Sequence, residues 1–591
     1  MRDCRFDIPD CPPEEVGRLE RELGVSGPLA QVLVRRGLAE PARARAFLAA
    51  AEEHAWEGFE RIGVAVEAIL ASVRDGERIT IHGDYDVDGV CSTAVLLRAL
   101  RALGANVESY LPDRASDGYG LNADTVRRLA ARGTRLLVTV DCGITAVEEV
   151  ACAQALGVQV VISDHHTPRA DGVLPSAPIV HPRLCGYPCP DLCATAVAYK
   201  LAVALFAEVA RDPRELEGDL DLVALATIAD LVPLVGENRA LVRRGLRALA
   251  STSKPGLRAL MAVARVDPGK VNERAVGFAL APRINAAGRM YRADAGLELI
   301  LTEDPRRAAQ IAGELDDANR ERRRVEMRIR HEAEAQMAAL GERPAYVLAG
   351  DWHAGVIGIV ASRLVERSGR PVVLIALDGD TGKGSGRSIE AFDLLGGLTA
   401  CAEHLLRYGG HSAAAGLEIE SARVGAFAAA LGAHVERVLA AEDEVEVERV
   451  DAVVGGDELG ITLAEELQRL APFGRGNPSV SLLVADATFA DARPMGEGKH
   501  ARFTVESRGA RARAVAFGHG GRLPVEDGVP TRATFTLEVN EWNGVSEPRL
   551  VLRRALPATS ATPSAAAIVE DSPPGSPSAG EDAELVLFAL P

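Results

Sequence analysis

The stretch His82-Gly-Asp-Tyr-Asp-Val-Asp-Gly89 follows an apolar, strand-like run at residues 78–82 and places an aspartate at every second position. Side chains alternate across a β-strand, so three carboxylates at this spacing would share one face and repel one another if the strand continued. The aspartates are therefore predicted to lie on the loop that leaves the carboxyl end of the strand, where open α/β sheets bind ligands. Taken alone, the segment fits a solvated acidic turn and a cation-binding loop equally well.

Further segments place acids or imidazoles in the same kind of position. Apolar runs end at Asp141 and at the triplet Asp164-His165-His166, and Asp230 stands among apolar neighbours, where an unpaired charge is costly. Packing alone does not explain why several independent elements deliver such groups to one sheet edge. Carboxylates with imidazoles suit Mn²⁺ or Mg²⁺ better than a thiolate zinc site, and two such ions can hold a nucleophilic water and a scissile phosphate together. The sequence therefore predicts phosphodiester or pyrophosphate hydrolysis.

The hydrophobic pattern changes character several times along the chain. Strand-like runs alternate with helical stretches from about residue 55 to 300, which predicts an α/β domain with a mostly parallel sheet. A long polar helical stretch, a second α/β segment and a β-rich segment follow. The predicted fold class is α/β multidomain, with these boundaries: an N-terminal helical segment 1–50, a catalytic α/β domain 51–304, a connecting helix 305–340, a second α/β domain 341–445, a β-barrel 446–556 and a disordered tail 557–591.

Composition narrows the function class only by exclusion. A net charge of -18, from 66 basic and 84 acidic residues, argues against a protein that coats DNA by bulk charge, but not against a nucleic-acid enzyme with a local basic path. No apolar run is long enough to span a membrane and the N-terminus carries no signal core, so we expect a cytoplasmic protein without membrane contact. Cys185, Cys189 and Cys193 recur every four residues, but intervening prolines favour free thiols over a zinc site.

The Asp-His-His triplet, with the His-x3-Asp-x-Asp pattern that begins at His82, resembles the DHH phosphoesterase superfamily. The resemblance implies two Mn²⁺ or Mg²⁺ ions that share one aspartate. The implied roles are as follows: His82 and Asp86 hold one metal, Asp141 bridges, Asp88, His165 and Asp230 hold the second metal, His166 contacts the scissile phosphate, Asp164 supports the histidines, and Asp84 orients a ligand or a metal-bound water.

Later motifs narrow the resemblance to the RecJ family. Residues 281–290 and 351–361 are similar to RecJ segments, the glycine-rich stretch 407–416 matches the DHH-associated domain, and residues 471–478 match the entry to the OB-fold of RecJ proteins. The resemblance covers about residues 20–556. It implies that the first α/β domain is a DHH domain, the second a DHH-associated domain and the β-barrel an OB-fold.

The resemblance also implies a path for a DNA strand. Ser385, Arg387 and Arg114 would form a pocket for a 5′ phosphate, Arg289 and His353 would track the strand, and Gly410 and His411 would lie where backbone approaches a phosphate. In the OB-fold, Arg511, Arg513 and Trp542 are candidate contacts to a single strand. The chain departs from the family at Ala194 and Ala196, where glycines are usual.

The implied function is a 5′→3′ exonuclease that is specific for single-stranded DNA and releases mononucleotides in DNA repair and recombination. The implied partners are single-strand binding protein and a RecQ-type helicase, and we expect a monomer. One alternative is a DHH phosphodiesterase for short oligonucleotides or cyclic dinucleotides, but such relatives usually lack the OB-fold. The other is a non-catalytic DHH scaffold of a replication complex, but such proteins lose acidic ligands that this chain retains.

Overall fold

The structure is a computed structural model that describes residues 4–112, 120–290, 292, 294–439, 446–542 and 545–558. The chain divides into two compact units. Residues 52–442 with 474–476 form the larger unit, and the first 51 residues group with most of residues 443–582 in the smaller one. The predicted disordered tail lies outside the described residues from position 559 onward.

A five-stranded, fully parallel sheet organises the first half of the larger unit, as the alternating pattern predicts. Its central strand, Leu136–Val140, is apolar and buried along its whole length, which is typical of a parallel sheet covered by helices on both faces. Registers that pair His82 with Thr139 and Val140 with Ser163 bring the strands' carboxyl ends side by side, so the segments that follow them meet at one sheet edge. The strands in spatial order are Val107–Tyr110, Ile79–His82, Leu136–Val140, Gln159–Ser163 and Ile179–Val180.

Helices surround this sheet and extend the unit beyond it. They begin with Ile62–Arg74 and Val87–Ala102, and no helix in the described part of the chain is both long and apolar enough to cross a membrane. The other α-helices of at least seven residues in this unit up to residue 301 are Ala123–Ala131, Val147–Ala155, Ala194–Glu208, Leu220–Ala229, Gly236–Ala250, Pro255–Ala264, Ala281–Met290 and Ala295–Leu301.

The polar stretch after residue 304 forms one helix, Pro305–Leu340, which confirms the predicted connecting helix. Its exposed arginines make mostly local ion pairs, such as Arg324 with Glu321, as expected of a solvated face. The helix leads into a second, mixed sheet in the same unit, with the helices Ala354–Ser368, Leu394–Ala400 and Val424–Leu439. The strands in spatial order are Arg407–Gly410, Ala414–Glu420, Thr381–Arg387, Val372–Asp378 and Tyr346–Gly350.

The smaller unit is built around the predicted β-barrel. The pairing of Leu482–Met495 with Thr531–Trp542 closes the sheet into a barrel, which removes most free strand edges. The other barrel strands are His500–Ser507, Ala510–Ala516 and Val545–Pro557, and the short strand Ala452–Val453 and the helix Ile461–Leu467 precede them.

The N-terminal helices share the hydrophobic core of the barrel. Leu19, Leu29 and Leu33 are fully buried in one cluster with Phe489 and Phe535 of the barrel. Three short helices bury too little apolar surface to be stable alone, so the N-terminal helices depend on this shared core. A parallel pairing of Cys4–Asp7 with Glu446–Arg449 also joins the two parts. The helices are Pro13–Leu23, Gly27–Arg35 and Pro41–Ala49.

One arginine links the N-terminal helices to the start of the barrel. Arg36 donates to both carboxylate oxygens of Asp451, at 3.0 and 2.9 Å, and also to Asn477 and to the carbonyl of Pro478. The side chains of Arg36 and Asp451 are only 11% and 9% exposed, so this is a desolvated bidentate pair.

We therefore expect Arg36→Ala to lower the unfolding free energy of the smaller unit by about 3 kcal/mol, because Asp451 would remain buried without its partner. Chemical denaturation of the full chain, followed through the transition of this unit, measures the loss. Arg74→Ala removes an exposed pair with Glu67 and serves as the control, with no measurable change expected. Equal denaturation midpoints for Arg36→Ala and the wild type would contradict a stabilising role for the pair of Arg36 and Asp451.

Candidate metal centre

Aspartates and histidines that follow the parallel strands converge with Asp230, which ends the helix Leu220–Ala229. Their ligand atoms form three overlapping sets, and within each set the atoms lie within 4.8 Å of one another. Carboxylate oxygens and imidazole nitrogens at this spacing are the donor set of a divalent cation such as Mn²⁺ or Mg²⁺. The sets are Asp84, Asp86 and Asp141; Asp88, His165 and Asp230; and Asp141, His165 and His166.

His165 belongs to two of these three sets, the one with Asp88 and Asp230 and the one with Asp141 and His166. Its Nε2 is 3.3 Å from Asp141 Oδ1, 3.7 Å from Asp230 Oδ2 and 3.8 Å from Asp88 Oδ2. This nitrogen is buried and makes no hydrogen bond within the described residues, although three carboxylates face it. A buried ring nitrogen in that position is costly unless it binds something, and a metal ion would satisfy both the nitrogen and the carboxylates.

Backbone N–H groups hold the carboxylates of Asp86 and Asp88 in place. Asp86 is the N-cap of the helix Val87–Ala102, and its Oδ1 accepts hydrogen bonds from the amides of Asp88 and Gly89. The carboxylate of Asp88 accepts from the amides of Ala194 and Thr195, at the start of the helix Ala194–Glu208. Both helix N-termini therefore point toward the ligand sets and favour negative charge there.

The histidine pair is oriented by Asp164. Asp164 Oδ1 lies 2.8 Å from Nδ1 of His166 and accepts from the amides of His165 and His166, while Oδ2 accepts from the amide of Ile144. This arrangement fixes the ring of His166 and turns its Nε2 away from Asp164. Asp164 is buried and lies behind the histidines, in the supporting position that the resemblance implies.

The electrostatics of the cluster differ among its members. Burial raises the pKa of Asp141 well above its usual range, and the charges of Asp88, Asp86 and Asp84 raise it further. Burial together with the charge of His166 lowers the pKa of His165 to about 4, so this ring is neutral and available as a ligand at pH 7. Burial also works against a charged His166, but the carboxylate and hydrogen bond of Asp164 outweigh it and raise the pKa to about 9.

The ligand sets add one residue to the metal ligands that the resemblance implies. Asp84, expected only to orient a ligand, groups with Asp86 and Asp141, whereas His82 belongs to none of the three sets found among the described residues. The ring of His82 is fully buried, and its Nδ1 lies 3.5 Å from the thiol of Cys142. The reason lies in the backbone: His82 is the last residue of its strand, while Asp84 is on the loop beyond.

A cavity of about 610 Å³ opens beside the ligand sets within the larger unit. One side presents Asp84, Asp86, Asp230 and His166, and the other presents residues from the second sheet. Five of the residues predicted to bind substrate line this cavity: Arg289, Ser385, Arg387, Gly410 and His411.

The anion-binding side of the cavity is ordered by its own contacts. Arg387 donates to the hydroxyl of Ser385 at 3.0 Å, and Arg289 donates to the carbonyl of Gly355 at the start of the helix Ala354–Ser368. A Cβ at Gly410, where φ is +141°, would lie 2.5 Å from the carbonyl oxygen of Ala414, so only glycine fits that close approach.

Other predicted contacts lie elsewhere or outside the described residues. His353 does not line the cavity, and its ring caps the amide of Gly355. Arg114 and the side chain of Trp542 lie outside the described residues. On the barrel, Arg511 pairs with Asp491 and Glu506, and Arg513 pairs with Glu547. No cysteine belongs to a candidate ligand set in the described part of the chain, in keeping with free thiols.

The sequence did not single out several residues that contact the ligands. Asn285 accepts from the amide of Val87 and lines the cavity, and His181 lies 2.8 Å from the carbonyl of His166. The positive charge of Arg475 acts on Asp230, and the backbone carbonyl of Arg475 accepts from the amide of Leu234. Arg475 lies within the motif at residues 471–478 and Asn285 within the segment 281–290, so these two motifs were the available signals; His181 carried none.

The chain is similar to known proteins over most of its length. Family models match at residues 78–227 (DHH family, N-terminal domain), 343–439 (DHHA1 domain) and 450–554 (RecJ OB domain). The single-stranded-DNA-specific exonuclease RecJ of Bacillus subtilis is 37% identical over 565 residues, which span 93% of this chain and 70% of that protein. This chain belongs to the RecJ family.

Other RecJ proteins match over most of their length as well. The RecJ exonuclease of Escherichia coli is 35% identical, over 85% of this chain and 91% of its own. The crystal structure of Thermus thermophilus RecJ in complex with Mn²⁺ superimposes with a TM-score of 0.82 at 32% identity, covering 94% of this chain and 80% of that one. The Mg²⁺ complex of the same RecJ gives a TM-score of 0.77 at 31% identity, over 95% of this chain and 79% of its own.

Metal binding and folding stability should be coupled through Asp141. Its raised pKa means that ionisation costs folding stability once the pH exceeds the ordinary range for aspartate, unless a cation compensates. At pH 7.5 with EDTA, we expect Asp141→Asn to melt at a higher temperature than the wild type. Asparagine also tolerates the left-handed backbone of this position, where φ is +61°.

With Mn²⁺ in excess, the wild type should melt at a higher temperature than Asp141→Asn, because only the wild type retains the shared ligand. Differential scanning calorimetry with and without the metal checks both statements, and the exposed Asp351→Asn is the control. A wild-type melting temperature that does not respond to Mn²⁺ would contradict the metal centre.

Proposed function

We propose that this protein is a 5′→3′ exonuclease that hydrolyses single-stranded DNA and releases 5′-mononucleotides, with Mn²⁺ or Mg²⁺ as its cofactor. One observation carries the proposal: members of the ligand sets, among them Asp84, Asp86 and Asp230, line the same cavity as a cationic, hydroxyl-bearing pocket. A phosphodiester requires both, since its scissile phosphate must meet the metals while a neighbouring phosphate is held in place.

Two metal ions fit the ligand sets. Asp84, Asp86 and Asp141 would hold one ion, and Asp88, His165 and Asp230 would hold the other, with Asp141 as the shared ligand. When bound, such a pair supplies a nucleophilic water at neutral pH and neutralises the charge that develops on the phosphate. We keep His82 as a proposed further ligand of the first ion; its Nδ1 lies 3.5 Å from the thiol of Cys142.

The protein's own groups position the substrate. His166, held in its charged form by Asp164, would donate a hydrogen bond to a non-bridging oxygen of the scissile phosphate. Ser385 and Arg387, with Arg114, would bind the 5′ phosphate, so that the first linkage of the strand lies at the metals. A pocket that fixes the 5′ end in this way explains release of one nucleotide per cycle.

The RecJ OB domain supports a single-stranded substrate, because such barrels bind unpaired strands by stacking and backbone charge. By family membership, we further propose action in DNA repair and recombination in the cytoplasm. We also propose that the protein acts as a monomer, together with single-strand binding protein and a RecQ-type helicase. His353 and Arg289 are proposed to contact the strand beyond the cleaved linkage.

The first test is digestion of a long synthetic single strand labelled at its 3′ end, with Mn²⁺ and with Asp141→Asn as the inactive control. Products that shorten from the 5′ end, absent with the variant and on blunt duplex, are expected. Cleavage restricted to oligomers of a few nucleotides would replace the proposal with a small-substrate phosphodiesterase. DNA binding without any cleavage would instead favour a non-catalytic scaffold.

The 5′-phosphate pocket makes a separate prediction. Arg387→Met should lower kcat/KM on a 5′-phosphorylated strand by roughly ten- to a hundredfold, the worth of a charge-assisted hydrogen bond to phosphate. The same variant should affect a 5′-hydroxyl strand far less. Steady-state kinetics on the two strands measures the difference, and Arg343→Met, on an exposed arginine away from the cavity, is the matched control. An equal loss on both strands would assign Arg387 a role other than 5′-phosphate recognition.

A further inference from the structure

Asp88 is held by a helix that is distant from it in sequence. Its Oδ2 accepts a hydrogen bond of 2.8 Å from the amide of Ala194, and its Oδ1 accepts one of 2.8 Å from the amide of Thr195. The hydroxyl of Thr195 lies 2.6 Å from the same Oδ1 and 3.0 Å from the backbone carbonyl oxygen of Asp88, so the shorter contact is to the carboxylate. Cys193, the N-cap of this helix, makes no side-chain cap of its own, so the carboxylate of Asp88 caps the helix from outside.

The two carboxylate oxygens of Asp88 therefore differ in their hydrogen-bond donors and in the side they face. Oδ1 faces two donors, both from Thr195, which match the two acceptor sites that a carboxylate oxygen offers. Oδ2 has a single donor, and it lies 3.8 Å from Nε2 of His165, on the side where the ligand set with Asp230 forms. Thr195 thus occupies the oxygen that is turned away from the ligand set and leaves Oδ2 one free site toward it.

We propose that Thr195 is a positioning residue that sets the affinity of the set Asp88, His165 and Asp230 for Mn²⁺ or Mg²⁺. The inference rests on the proposed function only in that these residues bind a metal. Asp88 is 1% exposed and stands close to other carboxylates, so repulsion would turn it away from the set if its orientation were not fixed. Groups that orient a metal ligand contribute roughly ten- to a hundredfold in metal affinity.

This position coincides with the departure from the family at Ala194 and Ala196. Both alanine side chains are fully buried, and the amide of Ala194 still donates to Asp88, so the added methyl groups are accommodated without loss of the contact. A purely structural role for the hydroxyl, as part of the helix start, would stabilise the fold and leave metal affinity unchanged. The experiment separates these two roles.

Full-length protein is stripped of metal with EDTA, and Mn²⁺ binding is measured in the absence of DNA by electron paramagnetic resonance and calorimetry. Thr195→Val removes the hydroxyl and keeps the shape, and we expect it to raise the Mn²⁺ Kd by roughly ten- to a hundredfold. Thr195→Ser keeps the donor and should restore wild-type affinity. If the valine variant does not fold, Thr195→Ala removes the donor without placing a methyl group against the carboxylate.

Thr134→Val is the matched control. Thr134 is equally buried, and its hydroxyl bonds that of Thr80 at 2.7 Å, but it precedes the strand that ends before Asp141 and so lies toward the opposite end of the sheet. It should lose stability but not Mn²⁺ affinity. Wild-type affinity in Thr195→Val, an equal loss in Thr134→Val, or failure of serine to restore binding would each overturn the inference.

The outcome can be told apart from failure of the proposed function. If the wild type binds Mn²⁺ but leaves single-stranded DNA intact, the exonuclease proposal fails and the comparison of Thr195 variants still stands. If the wild type degrades DNA and Thr195→Val binds Mn²⁺ equally well, only the present inference fails. A stripped wild type that binds no Mn²⁺ would overturn both.

Discussion

Mutual repulsion among the buried carboxylates of Asp84, Asp88 and Asp141 is the constraint around which the larger unit is organised. Water cannot relieve this repulsion, so the backbone and a cation must do so. The ends of three neighbouring strands, Ile79–His82, Leu136–Val140 and Gln159–Ser163, each lead into an acid, and a helix N-terminus or loop amide stands next to most of these acids. The parallel sheet makes this possible, because only parallel strands bring so many carboxyl ends, and the helices that follow them, to one edge.

The fold was largely predictable from sequence because its signals are local. The run of five buried residues before Asp141 predicts a central parallel strand, and the uninterrupted polar pattern after residue 304 predicts one long helix. Most of the candidate site followed for the same reason. Each ligand sits immediately after an apolar strand or within an apolar helix, where a charged residue needs an explanation.

What the sequence did not predict depends on contacts between distant residues. Thr195 reaches Asp88 across 107 positions, and Arg36 reaches Asp451 across 415, and neither pair leaves a periodic or compositional signal. The grouping of Asp84 with Asp86 and Asp141 has another cause. Residues two apart on a regular strand would share a face, but the strand ends at His82, so the direction of Asp84 is set by loop geometry that a spacing rule cannot supply.

Asp86 and Asp88 cap helices as well as offering ligand atoms. Substitutions that abolish metal binding therefore differ in how much they destabilise the fold. Asparagine at position 86 would keep the one oxygen that accepts from both helix amides while removing the charge, and asparagine or glycine at position 141 would keep its left-handed backbone. Alanine or valine at these positions would lower the stability of the fold as well as abolish metal binding. A descendant lineage that gave up catalysis but kept the scaffold would therefore be recognisable by amides, rather than by aliphatic residues, at its former ligand positions.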